Sequence, residues 1–543
     1  MGNNWSMESQ KRRTNSSFGT ALWVLLAAAI PIVARAQLTD VAQTTPGVPG
    51  GAINRTLEQQ IGSGRGDDAT EGSSLYLIAR DPVRAIRRGR QVFQRKFTAR
   101  QGLGPRVTAS SAGNIRENAA YGAGLTDSCA ACHGRPRGSA GVGGNVATRP
   151  DSRDAPHLFG AGLVERLADE ITGELRSIRT KATQQARQSG APVTLPLVGK
   201  GIQYGSIQGL PDGRVVTTGV EGVDPDLRVR PFFAHGGEYS LRAFAVGAFK
   251  DEMGLESPDP VLCQATNPAG SIRTASPAGM VFDRALDSVK RPPSCDATHD
   301  GDGDGVANEI DPALLDYLEF YLLNYFRPAV AETTSRTNAG LALMRRIGCT
   351  NCHVQNLTIE RDARVVDVDT RFDPRRGILN RLFATATLFV TTVGDNQPFP
   401  KMLPSGGRFT VENIFTDFKR HDLGPAFHER QYDGTIATAF MTEPLWGVAS
   451  TTPYGHDGRS ISIEEATLRH DGEARASKQA FAALSEDDRR KVLELLGTLV
   501  LFPPDDTASN LNPGRPNATN SHTPSEFGSI DLGTLFKTPG GPE

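Results

Sequence analysis

The most regular apolar spacing in the chain follows Asp311-Pro312, where Leu315, Leu318, Leu322 and Tyr325 recur at intervals of three and four. That interval gathers side chains on one face of an α-helix, and an Asp followed by Pro is a helix-opening pair. A second stripe, Val492, Leu495, Leu496 and Leu499, comes after Ser485 and Asp488, which are spaced as a capping box. Helix-like stretches also occupy residues 85–93 and 338–348. Further on, Ser462 is a good N-cap with Glu465 three residues later, so a helix from Ile463 would place Ile463, Ala466 and His470 on one face. The predicted fold class is mostly α. An approach helix, a cysteine motif and a closing helix occur twice, which predicts two units, at 75–335 and 336–505. The first carries a large loop-rich insertion over residues 134–310, and a flexible tail occupies 506–543.

The N-terminus reads as a processing signal. Lys11, Arg12 and Arg13 precede an apolar stretch from Phe18 to Val33, and Ala34-Arg35-Ala36 is a small-x-small cleavage pattern before Gln37. The stretch is short and contains Pro31, which favours a signal over a permanent anchor. Residues 1–36 are thus expected to be removed, leaving a 37–74 extension on a periplasmic or secreted protein with no stable membrane anchor. Lys and Arg total 59 against 61 Asp and Glu, with no basic stripe, so nucleic acid is not an implied partner. Gly (58) and Pro (35) are plentiful while aromatics are few, which suits a loop-rich chain whose core is built partly around something other than side chains.

The six cysteines change the picture most. Cys263 and Cys295 are widely spaced and, in an oxidising compartment, are most simply a disulfide. Cys129 with Cys132 and Cys349 with Cys352 are C-x-x-C pairs, each followed at once by histidine, His133 and His353. In C-x-x-C-H the two thiols add across haem vinyl groups and the histidine becomes the proximal iron ligand. A redox dithiol and half a zinc site are the competing readings. Two complete copies on an exported chain favour two covalently bound c-type haems on two cytochrome c-type domains.

Four blocks, with these motifs, resemble the bacterial di-haem oxidoreductases, relatives of the di-haem cytochrome c peroxidases and of enzymes that mature tryptophan-derived quinones. They are GLGP (102–105), SLRAFAVGAFKDEMGLESP (240–258), FTDFKRHDLGPAF (415–427) and TEPLWGVASTTPYGHDGRSISIEEATLRHDGEA (442–474). The resemblance implies that the segment after His-Asp-Gly supplies the distal ligand of the C-terminal haem, and the matching residue is His470. It places His456 and Arg459 beside haem propionates as positioning groups. It offers Glu252 as the distal acid/base above the first haem, with Asp251 as the competing carboxylate. No histidine follows His133 at the peroxidase spacing for a displaceable sixth ligand; His157, His235 and Met253 are the available substitutes. Trp446 is the one tryptophan left after signal removal and is a packing or electron-relay candidate.

Residues 300–311 read DGDGDGVANEID, which places Asp300, Asp302, Asp304, Asn308 and Asp311 at positions 1, 3, 5, 9 and 12 of a calcium loop, with Gly305 at 6. An acidic Gly-rich linker is the plainer reading of the same residues. The expected function is an exported di-haem oxidoreductase of peroxidase type. An electron-storing bis-His C-terminal haem, charged by a small redox protein, would feed an N-terminal haem that acts on peroxide or O2. A pure electron-transfer cytochrome, or a di-haem oxygenase or protein-modifying enzyme, is the alternative.

Overall fold

The computed structural model describes residues 37–38, 57–95, 97, 128–133, 155–253, 255–265, 271–283, 285–287, 295, 298, 309–324, 328–330, 333–372, 382–430 and 434–501. The signal segment 1–36, the GLGP block and the C-terminal tail lie outside these residues, as do Asp300, Asp302, Asp304, Gly305 and Asn308 of the calcium loop.

Helices α1 (Leu57–Ile61), α2 (Ser74–Arg80), α3 (Pro82–Gln94) and α4 (Cys129–His133) come first. They are followed by α5 (Ala161–Ser189), α6 (Leu241–Met253), α7 (Pro260–Ala265) and α8 (Pro312–Leu323). The last are α9 (Ser335–Arg346), α10 (Ile463–Arg469), α11 (Arg475–Ala482) and α12 (Glu486–Leu496). Their starts follow the caps. Asp311 Oδ1 accepts from Ala313 N at 2.8 Å with Pro312 at the first helical position, and Ser485 accepts from Asp488 N at 3.1 Å. The Asp488 carboxylate reaches Lys491 at 2.8 Å. α8 is not a one-faced stripe: every residue from Ala313 to Leu323 is buried, including Asp316 and Glu319. Those two carboxylates, with Asp259, surround the fully buried Arg242 guanidinium at 2.7–2.9 Å. That pairing is the condition on which a charge can sit in such a core.

The expectation of a mostly α fold is overturned. Among the described residues eight small antiparallel sheets accompany the helices, six of two strands and two of three. The insertion supplies the hairpin Val193–Gly199/Ile202–Gly209, which packs on α5, and most of the others lie between Leu357 and Met441. These short strands bound by glycine and turn residues carry no helical period, and sequence periodicity read for helices passes over them. Cys263 in α7 is joined to Cys295 by a disulfide, Cα–Cα 5.7 Å.

Two helix pairs frame the molecule, α3 against α8 and α9 against α12. Each closes over a glycine. A Cβ on Gly89 would lie 2.0 Å from Tyr317 O, and one on Gly340 would lie 2.1 Å from Lys491 O. Among the described residues three buried clusters result. One surrounds α2, α3, α6 and α8, and another joins α9 and α12 through Leu343, Val492 and Leu495. The third mixes residues of the insertion (Leu167, Ile171, Tyr204, Ile207) with residues far downstream (Ile359, Val411, Phe418, Trp446).

Alanine forms helix better than glycine by about 1 kcal/mol, so the sign of a Gly→Ala change reports the space. Gly89→Ala and Gly340→Ala are expected to destabilise by about 1–3 kcal/mol, since overpacking outweighs propensity. Gly173→Ala in α5, where nothing lies within 4 Å of the new Cβ, is expected to stabilise. Urea midpoints of the three variants check this, and a stabilised Gly340→Ala would refute the close packing.

Candidate functional site

In α4 one helical turn presents Cys129, Cys132 and His133 together, and α4 packs on α3. At the second motif Gly348 ends α9 in the left-handed region (φ +85°), and a 3-10 turn Cys349–Asn351 follows, with Cys352 and His353 next.

Three histidines share one arrangement. His133 Nδ1 lies 2.7 Å from Pro156 O, His353 Nδ1 lies 3.1 Å from Phe415 O, and His470 Nδ1 lies 2.8 Å from Ala466 O. A carbonyl can only accept, so each Nδ1 carries the proton and each Nε2 keeps a lone pair. Burial holds all three below the ordinary histidine pKa, His353 at about 4, with its carbonyl hydrogen bond opposing the shift and neighbouring His470 adding to it. A neutral imidazole with a fixed Nε2 lone pair is what a haem iron takes as axial ligand, so the residues fit two haems. His470 is near enough to His353 to lower its pKa, and His133 belongs to the first C-x-x-C-H motif.

His470 stands just past α10 as its C-cap. Ser462 accepts from Glu465 N at 3.1 Å to start that helix, and Glu465 returns a bond to Ile461 N at 2.8 Å. The Tyr454–Arg459 turn anchors the helix: Asp457 pairs with Arg469, whose guanidinium lies 4.1 Å over the Phe427 ring. Phe427 also meets His470 edge to face at 5.4 Å. The His456 side chain is only 6% exposed, stacked on Phe440 at 4.1 Å, with Nε2 3.1 Å from Glu429 Oε2. Arg459 is exposed and pairs with Asp457 at 3.4 Å.

His157 belongs to the side of His133 that faces away from Nε2. It follows Pro156, and its own Nε2 donates to Trp446 O at 2.9 Å. It is therefore the opposite tautomer from the other three, and burial lowers its pKa to about 4. Trp446 is buried with its ring against Gly160, where a Cβ would come within 2.8 Å. Leu445 N donates to Ile414 O at 3.0 Å, next to Phe415, whose carbonyl holds His353. A continuous covalent and hydrogen-bonded route thus runs from His133 to His353. His235 is half-buried and stacks on Phe233 at 5.8 Å, and Met253 is buried in the core around α6. Glu252, half-buried, precedes it on the same helix; Asp251 is in the helix, and its side chain lies outside what is described.

Sequence reasoning missed one cluster. His421 Nε2 lies 2.9 Å from Asp417 Oδ2 and its Nδ1 lies 2.8 Å from Glu473 Oε2, while the Cys352 sulfur is within 4.8 Å of the Asp417 and His421 ligand atoms. The i,i+4 spacing of Asp417 and His421 was visible; Glu473 arrives only through the fold. Burial opposes charge on His421, but the Asp417 hydrogen bond and the other partners outweigh it and push its pKa up to about 11.

Residues 386–499 match the family model described as "Di-haem oxidoreductase, putative peroxidase". That match makes this segment similar to the di-haem oxidoreductases, and the functional class it supports is an oxidoreductase that uses haem. The matched segment takes in His421, Trp446, His456 and His470 and stops short of both C-x-x-C-H motifs. No curated protein matches the chain. Among the described residues no helix is long and apolar enough to cross a membrane.

Because the folded pKa of His421 lies above its unfolded value, its contribution to stability is complete below pH 6.5 and is lost as pH rises toward 11. The stability gap between the wild type and His421→Gln should therefore narrow steadily over that window in urea melts. A gap that widens with rising pH would refute a charged His421.

Proposed function

We propose that this chain is a peroxidase-type di-haem oxidoreductase, exported through its 1–36 signal, with haems attached covalently at Cys129/Cys132 and Cys349/Cys352. The observation that carries this reading is the shared tautomer of His133, His353 and His470. Two of these histidines, His353 and His470, are near enough to interact electrostatically, which suits a closed six-coordinate haem that stores electrons. Among the described residues His133 alone plays this part at the N-terminal motif, which suits a haem with a position left for substrate. When bound, the haems supply one-electron redox change and, at the open position, a place for peroxide.

The chain's own residues supply the rest. Reducing one peroxide to two waters takes two electrons and two protons. Glu252 is assigned to take a proton from peroxide and return it to the leaving oxygen. Its support is placement: α6 carries Val246, Phe249 and Met253 into the same core on which Cys129 and Ala130 pack. Electrons from a small redox protein would enter at the C-terminal site and pass along the His353–Phe415–Leu445–Trp446–His157–His133 route.

Glu252→Gln should lower peroxide turnover by about 10²–10⁴-fold with both haems still attached, as read by steady-state assay and intact mass. Full activity would refute the acid/base assignment, and two low-spin, cyanide-inert haems would refute the enzyme reading altogether. His157→Phe, which removes the donor to Trp446 O, should slow electron equilibration between the haems after rapid partial reduction. His157→Gln, which keeps a donor, should restore it.

A further inference from the structure

We propose that His421 is a positioning residue: clamped between Asp417 and Glu473, it fixes the separation of His353 from His470 and so keeps the C-terminal haem closed by two histidines. This rests on the reading of His470 as the distal ligand. Both ring nitrogens of His421 face carboxylate oxygens, which accept when ionised, so the geometry requires an imidazolium donating on both sides.

The two carboxylates come from the two sides of the site. Asp417 is two residues after Phe415, whose carbonyl orients His353. It is buried and pinned: its Oδ1 accepts from Lys419 N at 3.0 Å, and its carbonyl accepts from the Tyr204 hydroxyl at 2.8 Å. Glu473 is three residues after His470, and its Oε1 accepts from Asp422 N at 2.9 Å. Asp471 N donates to Leu423 O at 2.9 Å, so the whole segment behind His470 is docked on the Arg420–Leu423 backbone. His421 sits in the strand Arg420–Asp422 between these attachments. Its side chain bonds to the proximal and distal segments at once. Removing it cuts the charged link and leaves two acceptors, Asp417 of them buried, without their donor.

A cation site made of Cys352, Asp417 and His421 is the competing reading of the same cluster. With the Cys352 sulfur taken up by haem attachment, that reading keeps only Asp417 and His421 of its three donors.

The test uses the haem-loaded, full-length protein and reads the spin state of the C-terminal haem by electronic absorption and EPR spectroscopy. His421→Phe should raise the five-coordinate, high-spin fraction of that haem by about tenfold or more, with two haems per chain by mass. Saturating free imidazole should return the low-spin spectrum by filling the vacated position, a rescue that a loss of general stability would not show. Glu473→Ala, which leaves the Asp417–His421 pair intact, should move the spectrum the same way and serves where His421→Phe fails to fold. His470→Ala is the control. If it turns the haem high-spin while His421→Phe and Glu473→Ala keep the wild-type spectrum, the positioning role is overturned and the ligand assignment stands. If His470→Ala leaves the haem low-spin, the ligand assignment falls and the proposal falls with it.

Discussion

The hydrogen bond from His353 Nδ1 to the Phe415 carbonyl is the constraint around which the C-terminal site is organised. It fixes the ring's tautomer and orientation, and it needs that carbonyl to point out of a loop rather than along a strand. Phe415 achieves this in the left-handed region at φ +54°, and Phe418 nearby does the same at +55°. Such a conformation costs a non-glycine residue about 1–3 kcal/mol. Both rings are buried, and the burial that fully encloses a phenylalanine offsets a cost of that size. The loop is thus held in a strained path by its own hydrophobic side chains, and the strain is spent on aiming one carbonyl.

That loop also ties the insertion to the C-terminal site. Ile414 and Phe418 lie in a core shared with α5 and the insertion hairpin, so the insertion forms the wall behind the C-terminal site. Trp446, far downstream in the chain, reaches Gly160 at the start of α5, and His157 reaches back to the Trp446 carbonyl. A chain that uses small sheets and loops for this purpose satisfies the backbone locally in two- and three-stranded pieces and leaves the helix pairs to carry the frame. The mostly α expectation failed there, on the parts that join the sites rather than on those that bracket them.

Much of the candidate site was nevertheless legible. The C-x-x-C-H motifs are local, and a single turn brings their three side chains together. The Ser462 cap and the spacing to His470 are local as well, and they place His470 one turn past Ala466, where its Nδ1 finds the Ala466 carbonyl. His456 was harder to read. From the sequence it is a turn histidine, but the fold buries it against Phe440 and Glu429, two residues with no fixed spacing to it. Asp417, His421 and Glu473 look like ordinary charges on polar stretches, because nothing in the order of residues says that 417 and 473 meet across one imidazole.

What the sequence determined by itself was set by interactions within a few residues: the helix starts at Asp311, Ser462 and Ser485, the paired thiols with their adjoining histidine, and the placement of His470 at a helix end. What only the tertiary structure decided was which carbonyl each histidine faces, which tautomer it therefore holds, and which distant carboxylates close on His421. Those outcomes depend on contacts between segments tens to hundreds of residues apart. A hydrogen bond is made or lost within a few tenths of an ångström, so chain order alone does not fix such distances.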